Sequence, residues 1–191
     1  MDIREIYEAF HRMYDPSRIL PLVDKIINLP TLPRQVSFLG EGARFRSYLM
    51  NMSGMELVVK IDQHTFDANF PKACQASWVT GINRLIKLGI TGVPPMALLK
   101  FRDSYVVVMT YLADRPRSQA GIKNAENLEK VFSGYLETHG FKNNDLLQIG
   151  FVGDMPFVRD FSDIEEEVKH EDEGKKISLH HRRQSFRTRT P

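Results

Sequence analysis

The first part of the chain spaces its apolar residues with the period of an α-helix. Between positions 3 and 14 they recur at i, i+3, i+4 and i+7 and share one helical face: Ile3, Ile6, Tyr7, Phe10, Met13 and Tyr14. Asp15-Pro16-Ser17 ends this helix, and a second apolar stretch at 19–29 is closed by Pro30 and Pro33. These patterns predict a helical N-terminal brace, residues 1–34, that packs against the rest of the protein.

From Gln35 onward the apolar period shortens to that of β-strands. Glycine-containing turns separate three apolar segments, which predict strands at 36–39, 45–50 and 55–61. Helical spacing then returns over 66–88 and ends at Gly89. Two later apolar runs predict a hairpin of buried strands at 96–99 and 105–112.

The next segment combines one more helix with a short hairpin. Apolar residues at helical spacing predict a helix over 124–139, and the turn Gly153-Asp154 joins predicted strands at 146–152 and 156–161. Strands and helices in separate runs indicate an α+β fold. In contrast, residues 164–191 carry an acidic block followed by arginines without apolar periodicity, which predicts a charged, disordered tail.

Composition narrows the functional classes. The chain has 191 residues and a formal net charge of +2, which gives no global reason for binding nucleic acid or an anionic membrane. The four arginines of the tail lack an aromatic platform, so we predict no nucleic-acid partner. A single cysteine, Cys74, excludes an intramolecular disulfide, and no apolar run approaches about 18 residues. We expect no membrane partner and a cytoplasmic location.

The candidate chemistry lies in a glycine turn followed by a lone lysine in a strand. Gly40 and Gly42 sit in the turn Leu39-Gly40-Glu41-Gly42, and Lys60 follows in the strand Leu57-Val58-Val59-Lys60. Glycines let backbone N–H groups approach phosphate oxygens, and a nearby ammonium group neutralises their charge. The order and spacing of these two motifs favour a phosphate-binding site.

With these motifs the chain resembles the protein-kinase-like superfamily. The turn at 39–42 looks like its glycine-rich loop, Val58-Val59-Lys60 like its strand-three lysine motif, and 105–112 like the strand that runs into the hinge. Asp160-Phe161-Ser162 looks like the Asp-Phe-Gly metal motif with serine in place of glycine. The resemblance covers residues 35–163 and implies a five-stranded antiparallel N-lobe with one helix, followed by a truncated C-lobe.

The resemblance also implies ATP and Mg²⁺ as cofactors and assigns their contacts. Met109 takes the gatekeeper place, and the backbone from Thr110 to Leu112 would face an adenine ring. Asp160 would hold the metal ion. The implied nucleotide contacts are Gly40, Gly42, Lys60, Met109, Tyr111 and Leu112.

Two departures from the superfamily pattern weaken the expected chemistry. Phe45 stands where the third loop glycine belongs, and no glutamate occurs between Glu56 and Glu126 to pair with Lys60. Gln75 or Asp67 could substitute for that glutamate. Only residues 164–191 follow the metal motif, which is too little for the helical lower lobe that holds a peptide substrate.

The catalytic loop has two possible registers. In the first, His139-Gly140 aligns with a His-Gly-Asp motif, so Phe141 takes the place of the catalytic aspartate and Leu146 that of the metal-binding asparagine. In the second, Asn143-Asn144-Asp145 replaces the His-Arg-Asp triplet. Asp145 is then the catalytic base beside Lys60, and Asn144 is the candidate second metal ligand.

Three segments and two functional hypotheses follow. The segments are the brace (1–34), a minimal kinase-like domain (35–163) and the tail (164–191). The chain is expected to bind a nucleotide and a protein partner, either as a degenerate pseudokinase or as a weak ATP-dependent phosphotransferase with a regulatory role. The alternative is a non-catalytic interaction domain that acts through the N-terminal helices or the basic tail.

Overall fold

The computed structural model describes most of the chain up to residue 166. The described residues are 2–42, 45–52, 54–69, 83–87, 92–143, 147–159 and 164–166. Among these residues, no helix combines the length and the hydropathy that crossing a membrane requires.

The two helices predicted for the brace are confirmed. Helix α1 (Ile3–Met13) begins with a reciprocal capping box, in which Glu5 N donates to Asp2 Oδ1 at 2.9 Å and Asp2 N donates to Glu5 Oε2 at 2.7 Å. Helix α2 (Pro16–Asn28) begins after Asp15, whose carboxylate accepts from Ser17 N at 2.9 Å. Both helices end close to the prolines and polar residues that the sequence places there.

The central layer is a five-stranded sheet in which all neighbours are antiparallel. Its order is β1-β2-β3-β5-β4, so β3 lies in the middle, between β2 and β5. The bounds are β1 (Val36–Glu41), β2 (Phe45–Met52), β3 (Met55–Asp62), β4 (Met96–Phe101) and β5 (Ser104–Thr110). The fold is therefore α+β.

Strand β3 buries side chains on both faces of the sheet. Leu57, Val59 and Ile61 face one apolar core, to which α1 and α2 contribute Phe10 and Ile19. Val58 belongs to a second core on the opposite face, which continues into the C-terminal half of the chain. A strand that is apolar at successive positions is typical of the buried centre of a layered fold.

The brace is bonded to the body as well as packed on it. The Tyr7 hydroxyl donates to the carbonyl of Val93, which lies in the segment that leads into β4. Burial raises the pKa of Tyr7, because the ionised form would lose its hydration. Arg102 at the β4–β5 turn pairs with Asp24 of α2 at 2.8 Å.

The C-terminal half consists of one long helix and short strand pairs. Helix α3 (Gln119–Thr138) buries Leu128, Phe132 and Leu136 against the second core. Strands β7 (Ile149–Val152) and β8 (Met155–Val158) form a hairpin near the predicted positions. Asp154 in its turn fixes the start of α3, since Ser118 N donates to Asp154 Oδ1 at 2.7 Å.

Two elements differ from the sequence-based expectation. Strand β6 (Phe141–Asn143) pairs with β9 (Ile164–Glu166), and β9 lies inside the segment predicted as a tail. The helix predicted from residue 66 does not begin there, because Asp62 caps a 3₁₀ turn at Gln63–Thr65 and residues 66–69 are not helical. Residues 83–87 are helical as predicted, with Leu85 fully buried.

Candidate functional site

A cavity of about 380 Å³ opens between the five-stranded sheet and the β7–β8 hairpin. This volume lies within the range of small-molecule sites, roughly 300–1,000 Å³. Below, this cavity is called the cleft. Its walls come from β1, β2, β3, the end of β5 and the ends of the hairpin: Leu39, Gly40, Glu41, Ser47, Val58, Lys60, Met109, Thr110, Tyr111, Leu112, Asp114, Gln148 and Arg159.

Strand geometry explains why Lys60 faces the cleft. Val58 and Lys60 are two positions apart in β3, so their side chains point to the same face of the sheet. The Lys60 ammonium group donates a hydrogen bond to the carbonyl of Arg159 at 3.1 Å. That carbonyl belongs to the peptide bond that joins Arg159 to Asp160. Lys60 thus connects the centre of the sheet to the chain that leaves the hairpin.

The segment after β5, residues 111–113 and here called the linker, is held in place at both ends. On the sheet side, Tyr111 N donates to the carbonyl of Glu56 at 3.1 Å. On the hairpin side, Ala113 exchanges two backbone hydrogen bonds with Phe151, at 2.8 and 2.9 Å. Met109 is buried at the back of the cleft, while Tyr111 is partly exposed at its edge.

The glycine turn is anchored by a buried glutamine. Gly42 N donates to the carbonyl of Phe45 at 2.9 Å, and Gln63 Nε2 donates to the carbonyl of Gly42. Gln63 is only 5% exposed, so its amide is committed to this turn. Gly40 has φ +153° at an irregularity in the β1–β2 register, a conformation that suits a residue without Cβ.

Arg159 forms the part of the cleft wall that lies opposite the sheet. Its Nη2 donates to the carbonyl of Leu112 at 3.1 Å, and its Nη1 lies 2.6 Å from Asp114 Oδ1. Asp114 is largely exposed, and an exposed ion pair contributes only about 0–1 kcal/mol to stability. The main consequence of these bonds is therefore orientation of the guanidinium group.

The structure brings together most of the predicted nucleotide contacts. Gly40, Lys60, Met109, Tyr111 and Leu112 all line the cleft. Gly42 lies in the adjoining turn and is not among the lining residues.

The predicted catalytic and metal-binding residues cannot be placed in the same way. Asp145, Asn144 and Asp160 lie outside the described residues, as does Gln75. In the described part of the chain, no three His, Cys, Asp or Glu side chains are grouped so that they could hold a metal ion.

Of the two registers of the catalytic loop, the structure describes the key residue of the first, Phe141, and not that of the second, Asp145. Phe141 lies in β6, is 2% exposed and belongs to the second apolar core. The Arg84 guanidinium group lies 5.5 Å from the centre of its ring. Phe141 therefore has a packing role in its strand and does not line the cleft.

Sequence reasoning missed several residues of the cleft. Leu39 and Val58 lie within the two motifs but were not assigned as ligand contacts, and strand alternation could have identified Val58. Arg159, Gln148 and Asp114 carry no such signal, because they reach the cleft through the pairing of β7 with β8 and through the Ala113–Phe151 bridge.

The cleft combines two kinds of surface. Leu39, Val58 and Met109 supply apolar area. The charged lining residues are two cations and two carboxylates, namely Lys60, Arg159, Glu41 and Asp114. The cleft therefore offers a ligand apolar surface together with charges of both signs. A search with models of protein families finds no match to this chain. A search of curated proteins also finds no similar protein.

Proposed function

We propose that this protein is a kinase-like nucleotide-binding protein that takes ATP with Mg²⁺ into the cleft. One observation carries the proposal. The superfamily resemblance selects six nucleotide contacts from positions spread over 73 residues of sequence, and five of the six line one cavity: Gly40, Lys60, Met109, Tyr111 and Leu112.

The chemistry of the cleft supports this ligand. The adenine ring would lie between the sheet and the hairpin, next to the linker backbone, and the Lys60 ammonium group would contact phosphate oxygens. Gly40 leaves its backbone open to the cleft, since no heavy atom lies within 4 Å of the position that a Cβ would take. Charge-assisted bonds to phosphate are among the stronger hydrogen bonds in proteins.

Mg²⁺ would be held by oxygen ligands near the Lys60 end of the cleft. Asp160 directly follows Arg159, whose carbonyl accepts from Lys60, and Asn144 is the candidate second ligand. Gln148 lines the cleft and adds an amide oxygen, a ligand type that suits this hard cation. When bound, the ion would spread the negative charge of the phosphates.

Phosphoryl transfer is the enzymatic form of this proposal, and Asp145 would be its base. The first register of the catalytic loop supplies no base, because its residue Phe141 is apolar and packs in the core. The base therefore has to come from the second register, which contains Asp145. Nucleotide binding without turnover by the wild-type protein would identify a pseudokinase. If the wild-type protein does turn over ATP, loss of turnover with retained binding in Asp145→Asn would identify Asp145 as the base. Both forms share nucleotide binding, a regulatory role and a protein partner.

A second candidate function is protein interaction through the N-terminal helices. Leu29, Leu32 and Phe38 are exposed by 50%, 39% and 51%, and they line a groove between α2, β1 and β2. Large apolar side chains exposed together are typical of interaction surfaces.

The proposal is tested by thermal unfolding with and without ATP and Mg²⁺. A ligand at 100 times its dissociation constant adds about 2.7 kcal/mol to the free energy of unfolding. For a chain of this size we expect a rise in Tm of roughly 5–10 °C. Mg²⁺ alone and ATP with excess EDTA serve as controls. An unchanged Tm at millimolar ATP with Mg²⁺ contradicts the proposal.

A further inference from the structure

The wall of the cleft opposite the sheet is built from a guanidinium group placed over a glycine. A Cβ added at Gly150 would lie 3.0 Å from Arg159 Nε and Nη2, and 2.6 Å from the Cβ of Leu112. Arg159 therefore occupies space that a side chain at position 150 would need. Gly150 is buried, so the guanidinium group covers it on the side of Leu112 and the cleft.

The guanidinium group is held by acceptors at both terminal nitrogens. Nη2 donates to the Leu112 carbonyl and Nη1 pairs with Asp114, which leaves little freedom for its plane to rotate. The backbone of Arg159 is fixed as well, because its N–H donates to the Gln148 carbonyl at 2.6 Å and its carbonyl accepts from Lys60. The side chain is thus a preorganised part of the wall.

A fixed, planar and weakly hydrated cation is a stacking platform for an aromatic ring. Leu39 and Val58 provide apolar surface on the sheet side of the same cavity. We propose that Arg159 forms one face of a base-binding subsite, so that the cleft recognises its ligand by stacking a nucleobase on the Arg159 guanidinium group. This inference rests on the proposed function and names the residue on which the base would stack.

The competing role for Arg159 is that of a phosphate-binding cation. The two roles predict opposite responses to ligands that contain only one part of a nucleotide. A stacking platform acts on the base, so its loss weakens ATP and adenosine but leaves inorganic tripolyphosphate unaffected. Loss of a phosphate-binding cation would instead weaken ATP and tripolyphosphate and leave adenosine, which has no phosphate, unaffected.

The experiment measures the affinity of the full chain for ATP, adenosine and tripolyphosphate in the presence of Mg²⁺. Arg159→Met removes both the charge and the plane, whereas Arg159→Lys keeps the charge and removes only the plane. For both variants we expect a loss of roughly 5- to 30-fold for ATP and adenosine, and less than about twofold for tripolyphosphate. Arg102→Met, which removes the ion pair to Asp24 at 2.8 Å, is the matched control and should change none of the three affinities.

Three results overturn the inference. Wild-type protein that binds ATP no more tightly than tripolyphosphate shows that the base contributes nothing. Variants that bind ATP as tightly as wild type, or that lose tripolyphosphate to the same extent, exclude stacking on Arg159 while the proposed function stands. Wild-type protein that binds none of the ligands rejects the proposed function together with the inference. The ratio of the ATP and tripolyphosphate affinities does not depend on the folded fraction, so partial unfolding of a variant cannot imitate the expected result.

Discussion

Replacing Lys60 by methionine should lower the affinity for ATP with Mg²⁺ by roughly 10- to 100-fold. A hydrogen bond to a charged group contributes about 1.5–3 kcal/mol, and each 1.4 kcal/mol corresponds to a factor of ten in affinity. Methionine keeps the length and apolar stem of lysine, so the change removes mainly the charge. Isothermal titration calorimetry on the folded variant provides the measurement.

The control for this variant is a second lysine in the same sheet. Lys100 lies at an exposed position of β4 and is not among the residues that line the cleft. Lys100→Met should bind ATP as wild type does. If Lys60→Met binds as tightly as Lys100→Met, the phosphates do not lie at Lys60 and the orientation assigned to the nucleotide is wrong.

Replacing Phe10 by alanine should destabilise the whole protein by about 3–5 kcal/mol. Phe10 is 1% exposed and lies in the core between the brace and the sheet, where its ring stacks on Tyr14 at a centroid distance of 5.5 Å. The free energy of unfolding of an ordinary domain is only about 5–15 kcal/mol, so this loss is a large share of the total. Chemical denaturation followed by circular dichroism measures it.

Phe38→Ala is the matched control, because the same ring is removed from a site that is 51% exposed. Phe38→Ala should lower the free energy of unfolding clearly less, since a half-exposed ring buries less apolar area on folding. If the brace folded independently of the body, Phe10→Ala would instead lower the free energy of unfolding of the whole protein only slightly. The outcome also bears on the interaction hypothesis, because deletion of residues 1–34 tests for a docking partner only if the body folds without them.

Elements with a clear period were predictable from the sequence. Helix α1 and the hairpin of β2 and β3 have the expected spacing, because each is a run of at least eight residues with a regular apolar pattern. The same alternation places Lys60 in the cleft together with Val58. For these elements the local sequence pattern was sufficient, because the apolar side chains that it identifies are the ones that the fold buries.

Other features depend on contacts that sequence spacing does not encode. Strands β6 and β9 have three residues each, which is too short for a period of two to be recognised. The expected helix start at residue 66 failed because the Asp62 carboxylate accepts from His64 N and favours a tight turn. The contact of Arg159 with Leu112 joins residues 47 positions apart, and only the folded chain reveals it.

Amide hydrogen exchange with and without ATP and Mg²⁺ tests whether ATP occupies the cleft, as we propose. Exchange reports local protection along the backbone, so it shows where the ligand binds as well as whether it binds. We expect slower exchange in residues 39–42 and 109–113 when the nucleotide is present. Unchanged exchange in both segments at saturating nucleotide, or slower exchange confined to the groove beside Leu29 and Phe38, would contradict it.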